Sequence, residues 1–204
     1  MNSVSNMGTD SAQERIRAFV CVELPRAAVA AIALQAKSLA VLGMSPVREA
    51  NMHITLAFLG YVKASSVPYI EHVMSCIERA PFKISIGAPS TFGSGSPRVI
   101  FLGVEDGAME LSELHSKLYA GLERLGIHDE PRPFVPHLTL ARVHGLLSDD
   151  ASARTHSALA GGRYEFICNG ISLMQSILGE GAPVHKELFF RPFPGPAPSG
   201  TGPS

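Results

Sequence analysis

The stretches "MHITLAFLG" (residues 52–60) and "PHLTLARVH" (residues 136–144) share the order His, aliphatic, Thr, Leu, Ala, and their histidines lie 84 positions apart. Each stretch has the apolar alternation and the β-branched residues of a strand. Successive side chains of a strand point to opposite faces, so His53 and Thr55 share one face, as do His137 and Thr139. The chain is therefore expected to present the same imidazole and hydroxyl pair twice.

The order of predicted elements around these stretches also repeats. The first half is expected to form strands at 17–23, 53–60 and 82–87, with helices from Pro25 and near 65–79. The second half is expected to form strands at 98–105, 137–144 and 164–176, with helices at 108–125 and 149–159. A last strand is expected at 185–190. Glu23 precedes His53 by 30 positions, and Glu105 precedes His137 by 32. The alternation of strands and helices predicts a mixed α and β fold. The repetition predicts two lobes related by an approximate two-fold axis, in which the histidines meet across a groove.

Composition predicts the extent of the folded region. Residues 1–14 are polar without periodicity, and residues 192–204 are mostly Pro, Gly and Ser, so both ends are expected to be disordered tails. Between them, residues 15–191 are expected to form a single bilobal domain. The chain has 204 residues and 46% hydrophobic content, which is ample for one core.

Charge and cysteine content restrict the function classes. The formal net charge of −1 argues against a general nucleic-acid coat protein, so contact with nucleic acid would need a local basic cleft. The three cysteines Cys21, Cys76 and Cys168 form no C-x-x-C pattern, which argues against a disulfide framework and a thiolate metal site. A reducing cytoplasm and no membrane insertion are expected, because neither a secretory leader nor a long apolar run is found.

Two imidazoles of ordinary pKa suit acid and base catalysis at neutral pH, one accepting a proton while the other donates one. This pairing suits displacement at a phosphodiester, with His53 and His137 transferring protons and with Thr55 and Thr139 holding phosphate oxygens. No metal or other cofactor is needed. Arg142 would complete the phosphate contacts, although an ideal strand would turn it away from Thr139 unless a bulge, twist or strand end redirects it.

Other polar residues carry weaker signals. The remaining histidines are expected to be packing or surface residues, with His144 and His185 the least easily dismissed. The segment "FGSGSPR" (92–98) is interpreted as a turn between strands and not as a phosphate-binding glycine loop. Four basic residues flank the two repeated stretches: Arg48, Lys63, Arg132 and Arg142. Their positions fit either a basic groove or an ordinary solvated surface.

These residues resemble the two-histidine (2H) phosphoesterases, and within them the LigT-like RNA 2′,3′-cyclic phosphodiesterases, also called ThpR or 2′-5′ RNA ligases. The likeness covers about residues 15–190 and includes "RAFVCVELP", "NMHITLAFLGYV", "FGSGSPRVIFLGV", "EPRPFVPHLTLARV" and "LMQSILGEGAPVHKEL". It implies a bilobal α+β fold, with antiparallel sheets lining a central cleft and helices outside. It also implies His53 as proton donor, His137 as proton acceptor, and Thr55, Thr139 and Arg142 as phosphate ligands.

The resemblance implies an RNA partner that ends in a 2′,3′-cyclic phosphate, which would be hydrolysed to a 2′-phosphate, with 2′-5′ ligation as the reverse reaction and no obligatory protein partner. The sequence departs from common family residues at Ala57, Phe101 and His185, where relatives often carry Lys, Trp and Tyr. Two alternatives stay open: a 2H enzyme for a small cyclic nucleotide or cyclic ADP-ribose phosphate, and a non-catalytic module that binds RNA ends.

Overall fold

A computed structural model describes residues 14–40, 44–93, 99–127, 133–144 and 149–195. Within these ranges four α-helices accompany nine strands of one antiparallel sheet. In chain order the elements are β1 (Arg15–Glu23), α1 (Arg26–Ala40), β2 (Met44–Pro46), β3 (His53–Lys63), α2 (Val67–Ser75), β4 (Phe82–Phe92), β5 (Val99–Val104), α3 (Ala108–Glu123), β6 (His137–Val143), α4 (Asp149–Leu159), β7 (Tyr164–Cys168), β8 (Gly170–Ile177) and β9 (Val184–Pro192).

Helix α3 shows how the helices cover the sheet. Its leucines at 111, 114, 118 and 122 follow helical spacing and are all buried in the main hydrophobic core. The helix begins after Gly107, whose φ of 87° favours glycine, and a Cβ there would lie 2.7 Å from the Lys83 carbonyl oxygen. The close approach of β4 therefore fixes where α3 starts.

The strands follow the order β7-β4-β5-β6-β3-β1-β8-β9, and β2 also pairs with β6. The two lobes are thus β7-β4-β5-β6 and β3-β1-β8-β9. The halves of the sequence exchange a strand, because β4 of the first half pairs with β5 and β8 of the second half pairs with β1. The duplication predicted from the sequence is present, but each lobe is built from both halves.

The two lobes meet where β3 pairs with β6, and Ile54 with Leu138 is the pair found there. These residues occupy the same position of the repeat, directly after each histidine, so the approximate two-fold axis passes between them. Both are fully buried at 0% exposure. The junction of the lobes is therefore part of the hydrophobic core.

Several boundaries differ from the expected ones. Strand β2 was not predicted, because three residues are too short to show a period. The ordered region continues past the predicted limit of 191: β9 ends at Pro192, and Phe193 is buried with its N–H donating to the Asn169 carbonyl at 2.7 Å. Burial of its apolar ring holds Phe193 in the domain, although the composition of residues 192–204 predicted a tail.

At the other end, the Glu14 carbonyl accepts a hydrogen bond from Ala64 N–H at 2.8 Å, so this residue is also attached to the domain. Residues 1–13 and 196–204 of the predicted tails lie outside the described residues. The three cysteines are free. Among the described helices none combines the length and the apolar character needed to cross a membrane.

We expect Ile54→Ala to lower the free energy of unfolding by about 2–5 kcal/mol, because it opens a cavity in the core where the lobes join. Chemical denaturation would measure the loss. Leu34→Ala on α1 is the control, since Leu34 is 70% exposed and its change should stay within about 0.5 kcal/mol. Equal losses in the two variants would contradict a buried lobe junction.

Candidate active site

Four predicted side chains surround the two-fold axis. The antiparallel register that pairs Ile54 with Leu138 places His53 across from Thr139 and Thr55 across from His137. Ile54 and Leu138 point into the core, so their neighbours point to the opposite face of the sheet. All four candidate side chains therefore share one face of the sheet at the lobe junction.

A bulge follows each threonine. Val20 pairs with Ala57 while Cys21 pairs with Thr55, so Leu56 is an extra residue in β3. In the same way Ile100 pairs with Ala141 while Phe101 pairs with Thr139, which leaves Leu140 as the extra residue in β6. A bulge reverses the alternation beyond it.

The bulge in β6 resolves the placement of Arg142, which lines the same cavity as Thr139. The bulge in β3 likewise brings Phe58 to the cavity wall, with its side chain 54% exposed. Phe58 and Arg142 are both five residues after their histidine. The two copies of the repeat thus share their backbone geometry while their chemistry differs, with an aromatic ring on one side and a guanidinium on the other.

The His53 ring lies against an aromatic floor. It stacks on Phe19 with ring centroids 4.7 Å apart, and His185 meets it edge-on at 5.3 Å. Phe19, Cys21 and Met174 form a small apolar cluster separate from the main core. The Asn51 backbone next to the ring favours the protonated imidazole and so raises the pKa of His53, against the larger effect of burial.

His137 has an equivalent environment in the other lobe. Its Nδ1 lies 2.7 Å from the Val135 carbonyl oxygen, so Nδ1 carries the proton in this bond and Nε2 is left for chemistry. Phe92 lies edge-on to its ring at 4.8 Å, and Phe101 is tilted against it at 5.1 Å. Each histidine is thus packed on aromatic rings, and His137 is in addition bonded to the Val135 carbonyl.

The surroundings depress the pKa of both histidines. Burial, followed by repulsion from His185, lowers the pKa of His53 to about 4, and the positive charge of protonated His137 acts in the same direction. Burial also lowers the pKa of His137. For His185 the pKa is lowered by burial and by the positive charge of Arg17. Both catalytic candidates are therefore poised to be neutral until an anion binds beside them.

The cavity beside these residues has a volume of about 690 Å³. Among its described lining residues are Arg17, Arg48, Arg142, His53, His144 and His185, and no Asp or Glu. A chain with a net charge of −1 thus concentrates cationic side chains in one cleft. A cavity of this size and charge is suited to a phosphorylated ligand of about nucleotide size.

The predicted site residues are distributed as follows. His53, Thr55, Thr139 and Arg142 line this cavity, whereas His137 lies beside it without lining it and acts on His53 through its charge. Of the groove candidates, Arg48 lines the cavity and Lys63 does not. Arg132 and residues 94–98 of the glycine-containing segment lie outside the described residues.

Among the three departures from common family residues, Phe101 supports His137 and His185 contacts His53, while Ala57 is buried beneath the bulge and does not line the cavity. Sequence reasoning equated Glu23 with Glu105, but Glu23 pairs with His53 whereas Gly103 pairs with His137. The similar spacing of the two glutamates is therefore not a structural equivalence.

Sequence reasoning missed Arg17 and Ser176, which also line the cavity. Arg17 precedes Phe19 by two positions and so shares its face of β1, a signal visible in "RAFVCVE". Ser176 comes from β8, far away in sequence, and only the pairing of β8 with β1 brings it there.

The fold and site define a bilobal α+β protein with a duplicated His-x-Thr strand at a cationic cleft. The profile of the 2′-5′ RNA ligase superfamily matches residues 24–180, and the chain belongs to this family.

Similar proteins support the assignment. A curated RNA 2′,3′-cyclic phosphodiesterase of Archaeoglobus fulgidus is 36% identical over 150 residues, which cover 72% of this chain and 83% of the relative. A solved structure from Thermus thermophilus superposes with a TM-score of 0.73 at 28% identity, covering 88% of this chain and 99% of its own. Escherichia coli LigT complexed with 3′-AMP shares the fold, with a TM-score of 0.71 at 23% identity over 88% of this chain and 99% of its own.

We expect acid to destabilise the protein partly through His53. Its folded pKa of about 4 lies below the unfolded value near 6.5. The destabilisation due to His53 is therefore absent above pH 6.5 and grows as the pH falls towards 4. At full extent it amounts to at most about 3 kcal/mol. The free energy of unfolding of His53→Gln should therefore fall less steeply with decreasing pH than that of the wild type over this range.

Denaturation at a series of pH values would compare His53→Gln with the wild type. His156→Gln is the matched control, because His156 is exposed on α4. Parallel curves for wild type and His53→Gln would show that the His53 ring is not held neutral by the fold.

Proposed function

We propose that the protein is a metal-independent RNA 2′,3′-cyclic phosphodiesterase that converts a terminal cyclic phosphate to a 2′-phosphate. The observation that carries this proposal is the arrangement of His53, Thr55, His137 and Thr139 on one sheet face around the lobe junction. Two proton-transfer groups at one cationic cleft, His53 lining it and His137 beside it, match a reaction that must activate water on one side of phosphorus and protonate the departing oxygen on the other.

In this reaction His137 accepts a proton from water through Nε2, and the water oxygen attacks phosphorus. The bond between phosphorus and the ribose 3′ oxygen breaks, and His53 donates a proton to that oxygen. The product carries a 2′-phosphate and a 3′-hydroxyl, and the two histidines have exchanged protonation states. The same sequence with a 5′-hydroxyl as nucleophile in place of water would break the bond between phosphorus and the 3′ oxygen and join the 2′ and 5′ oxygens through phosphorus, which forms a 2′-5′ bond.

The neighbouring polar groups hold the phosphate. Thr55 and Thr139 donate from their hydroxyls to the non-bridging oxygens, and Arg142 adds a charged donor. The depressed pKa of His53 opposes its role as the acid only while the cleft lacks an anion. A phosphate beside the ring favours the charged imidazolium and raises the pKa of His53, so substrate binding promotes protonation of His53.

The substrate class is supported by the names of the relatives. Proteins called RNA 2′,3′-cyclic phosphodiesterase from Archaeoglobus fulgidus and Thermus thermophilus are 36% and 32% identical over 72% and 85% of this chain. The exposed ring of Phe58 beside the cationic groups also suits a ligand that contains a nucleobase. A small cyclic nucleotide, or cyclic ADP-ribose phosphate, would use the same groups, and a binding module would use them without turnover.

The decisive assay offers the protein an RNA ending in a 2′,3′-cyclic phosphate and, separately, a small cyclic mononucleotide, with a strong chelator present. We expect 2′-phosphate ends from the RNA at an undiminished rate, because histidines and an arginine supply the proton transfers and charge stabilisation. Loss of activity that returns with added zinc or magnesium would overturn the mechanism. Preference for the small substrate would favour the second candidate, and binding without product the third.

The division of roles between the histidines can be tested with a cyclic substrate whose leaving group needs little protonation. Activity of His53→Ala should be partly restored on this substrate, since only the acid is missing, whereas His137→Ala should stay inactive because the water lacks its base. Changing both should cost little more than changing one, since the groups act as a unit. Equal restoration of both single variants, or restoration of His137→Ala alone, would reverse the assignment.

A further inference from the structure

Arg17 lies in the wall of the cavity on the His53 side. Its side chain is half-buried, and its Nη1 donates to Ser176 Oγ at 3.3 Å. The Ser176 residue is itself buried, with 5% exposure. Within the described part of the chain, Arg17 forms no ion pair with a carboxylate. A partly buried guanidinium bonded only to a neutral hydroxyl retains several unused N–H donors, and Arg17 lines the cavity.

His185 extends this cluster towards the proposed reacting centre. It lies opposite Ser176 in the pairing of β9 with β8, and its ring contacts both Phe19 and His53 at centroid distances of 4.9 and 5.3 Å. Both Arg17 and His185 line the cavity. The cluster Arg17, Ser176 and His185 thus forms a continuous polar wall from three strands, adjacent to His53.

The wall is held in place by the segment before β9. Asn51, next to the start of β3, donates from Nδ2 to the Pro183 carbonyl at 2.8 Å. Gly181, Ala182 and Pro183 line the cavity beside His185. The position of His185 is therefore tied to the strand that carries His53.

The charge of this wall needs a partner. Burying part of a guanidinium costs free energy unless an anion or several hydrogen bonds compensate it, and the cavity offers no carboxylate among its described residues. In the proposed function, Thr55, Thr139 and Arg142 hold the reacting phosphate near the two-fold axis. The wall of Arg17 lies to one side of that centre, beyond Phe19 and His53, and is thus available to a second anionic group.

We propose that Arg17, Ser176 and His185 form a second phosphate subsite, which binds the phosphate on the 5′ oxygen of the same ribose that carries the cyclic phosphate. The inference rests on the proposed function. In an RNA chain this 5′ phosphate is the link to the preceding nucleotide, so the subsite recognises a polynucleotide end and discriminates against a nucleoside 2′,3′-cyclic phosphate with a free 5′-hydroxyl.

The test compares kcat/KM for adenosine 2′,3′-cyclic phosphate with and without a 5′-phosphate. We expect the 5′-phosphorylated substrate to be preferred by about tenfold or more, the scale of one charged hydrogen bond. Arg17→Met keeps the apolar stem of the side chain and removes the charge. It should bring the ratio of the two kcat/KM values close to one, mainly by raising KM for the phosphorylated substrate.

Arg15→Met is the matched control. Arg15 lies two positions away on β1, is exposed, and donates from Nη2 to the Tyr61 carbonyl without lining the cavity. This variant should keep the wild-type ratio. His185→Phe retains a ring against His53 but removes the polar atoms, so it should lower the ratio as well. A wild-type ratio of one, or a ratio that survives Arg17→Met, would overturn the subsite.

A dinucleotide ending in a cyclic phosphate distinguishes an internal RNA phosphate from a terminal one. We expect it to show the same Arg17-dependent preference over the 5′-hydroxyl mononucleotide. A preference confined to the terminal 5′-phosphate would overturn the assignment to an RNA chain.

Calorimetric binding of adenosine 2′-phosphate and adenosine 2′,5′-bisphosphate separates this inference from the proposed function. Tighter binding of the bisphosphate, lost in Arg17→Met, would support the subsite even in a protein that hydrolyses neither substrate, and in that case the proposed function alone would fail. Hydrolysis of both substrates at equal rates, with equal affinity for the two ligands, would refute the subsite and leave the proposed function intact.

Discussion

The pairing of Ile54 with Leu138 is the constraint on which the rest of the site depends. These two residues sit at the same position of the internal repeat, and their antiparallel register makes them the centre of an approximate two-fold axis. Because their side chains are buried, the residues on either side must face the cleft. A slip of one residue in either strand would turn its histidine and threonine into the core, so the hydrophobic core itself enforces the geometry of the polar face.

The two bulges add a second level of control. An extra residue at Leu56 and at Leu140 reverses the strand alternation directly after each threonine, and so Phe58 and Arg142 reach the cavity wall. Equivalent bulges thus carry different side chains in the two lobes. A symmetric scaffold thereby presents an aromatic ring on one side of the cavity and a guanidinium on the other.

The electrostatics of the cleft follow from its position between aromatic floors. Phe19 lies beneath His53, and Phe92 and Phe101 lie against His137, so burial lowers the pKa of both rings. Three arginines in the same cavity have no Asp or Glu beside them among its described lining residues. A bound phosphate satisfies both conditions at once, because it supplies the counter-charge for the arginines and stabilises a protonated imidazole.

The sequence by itself determined the duplication, the mixed α and β class, the strands that carry the repeated His and Thr pairs and the face that each pair shares, because strand alternation and repetition are local properties of the chain. It also showed that Arg142 needed an irregular strand. Only the tertiary structure decided that the halves exchange β4 and β8, that Phe193 belongs to the core, and that Arg17, Ser176 and His185 lie together. These features depend on which strands become neighbours, and that choice is set by long-range burial and pairing that no local pattern records.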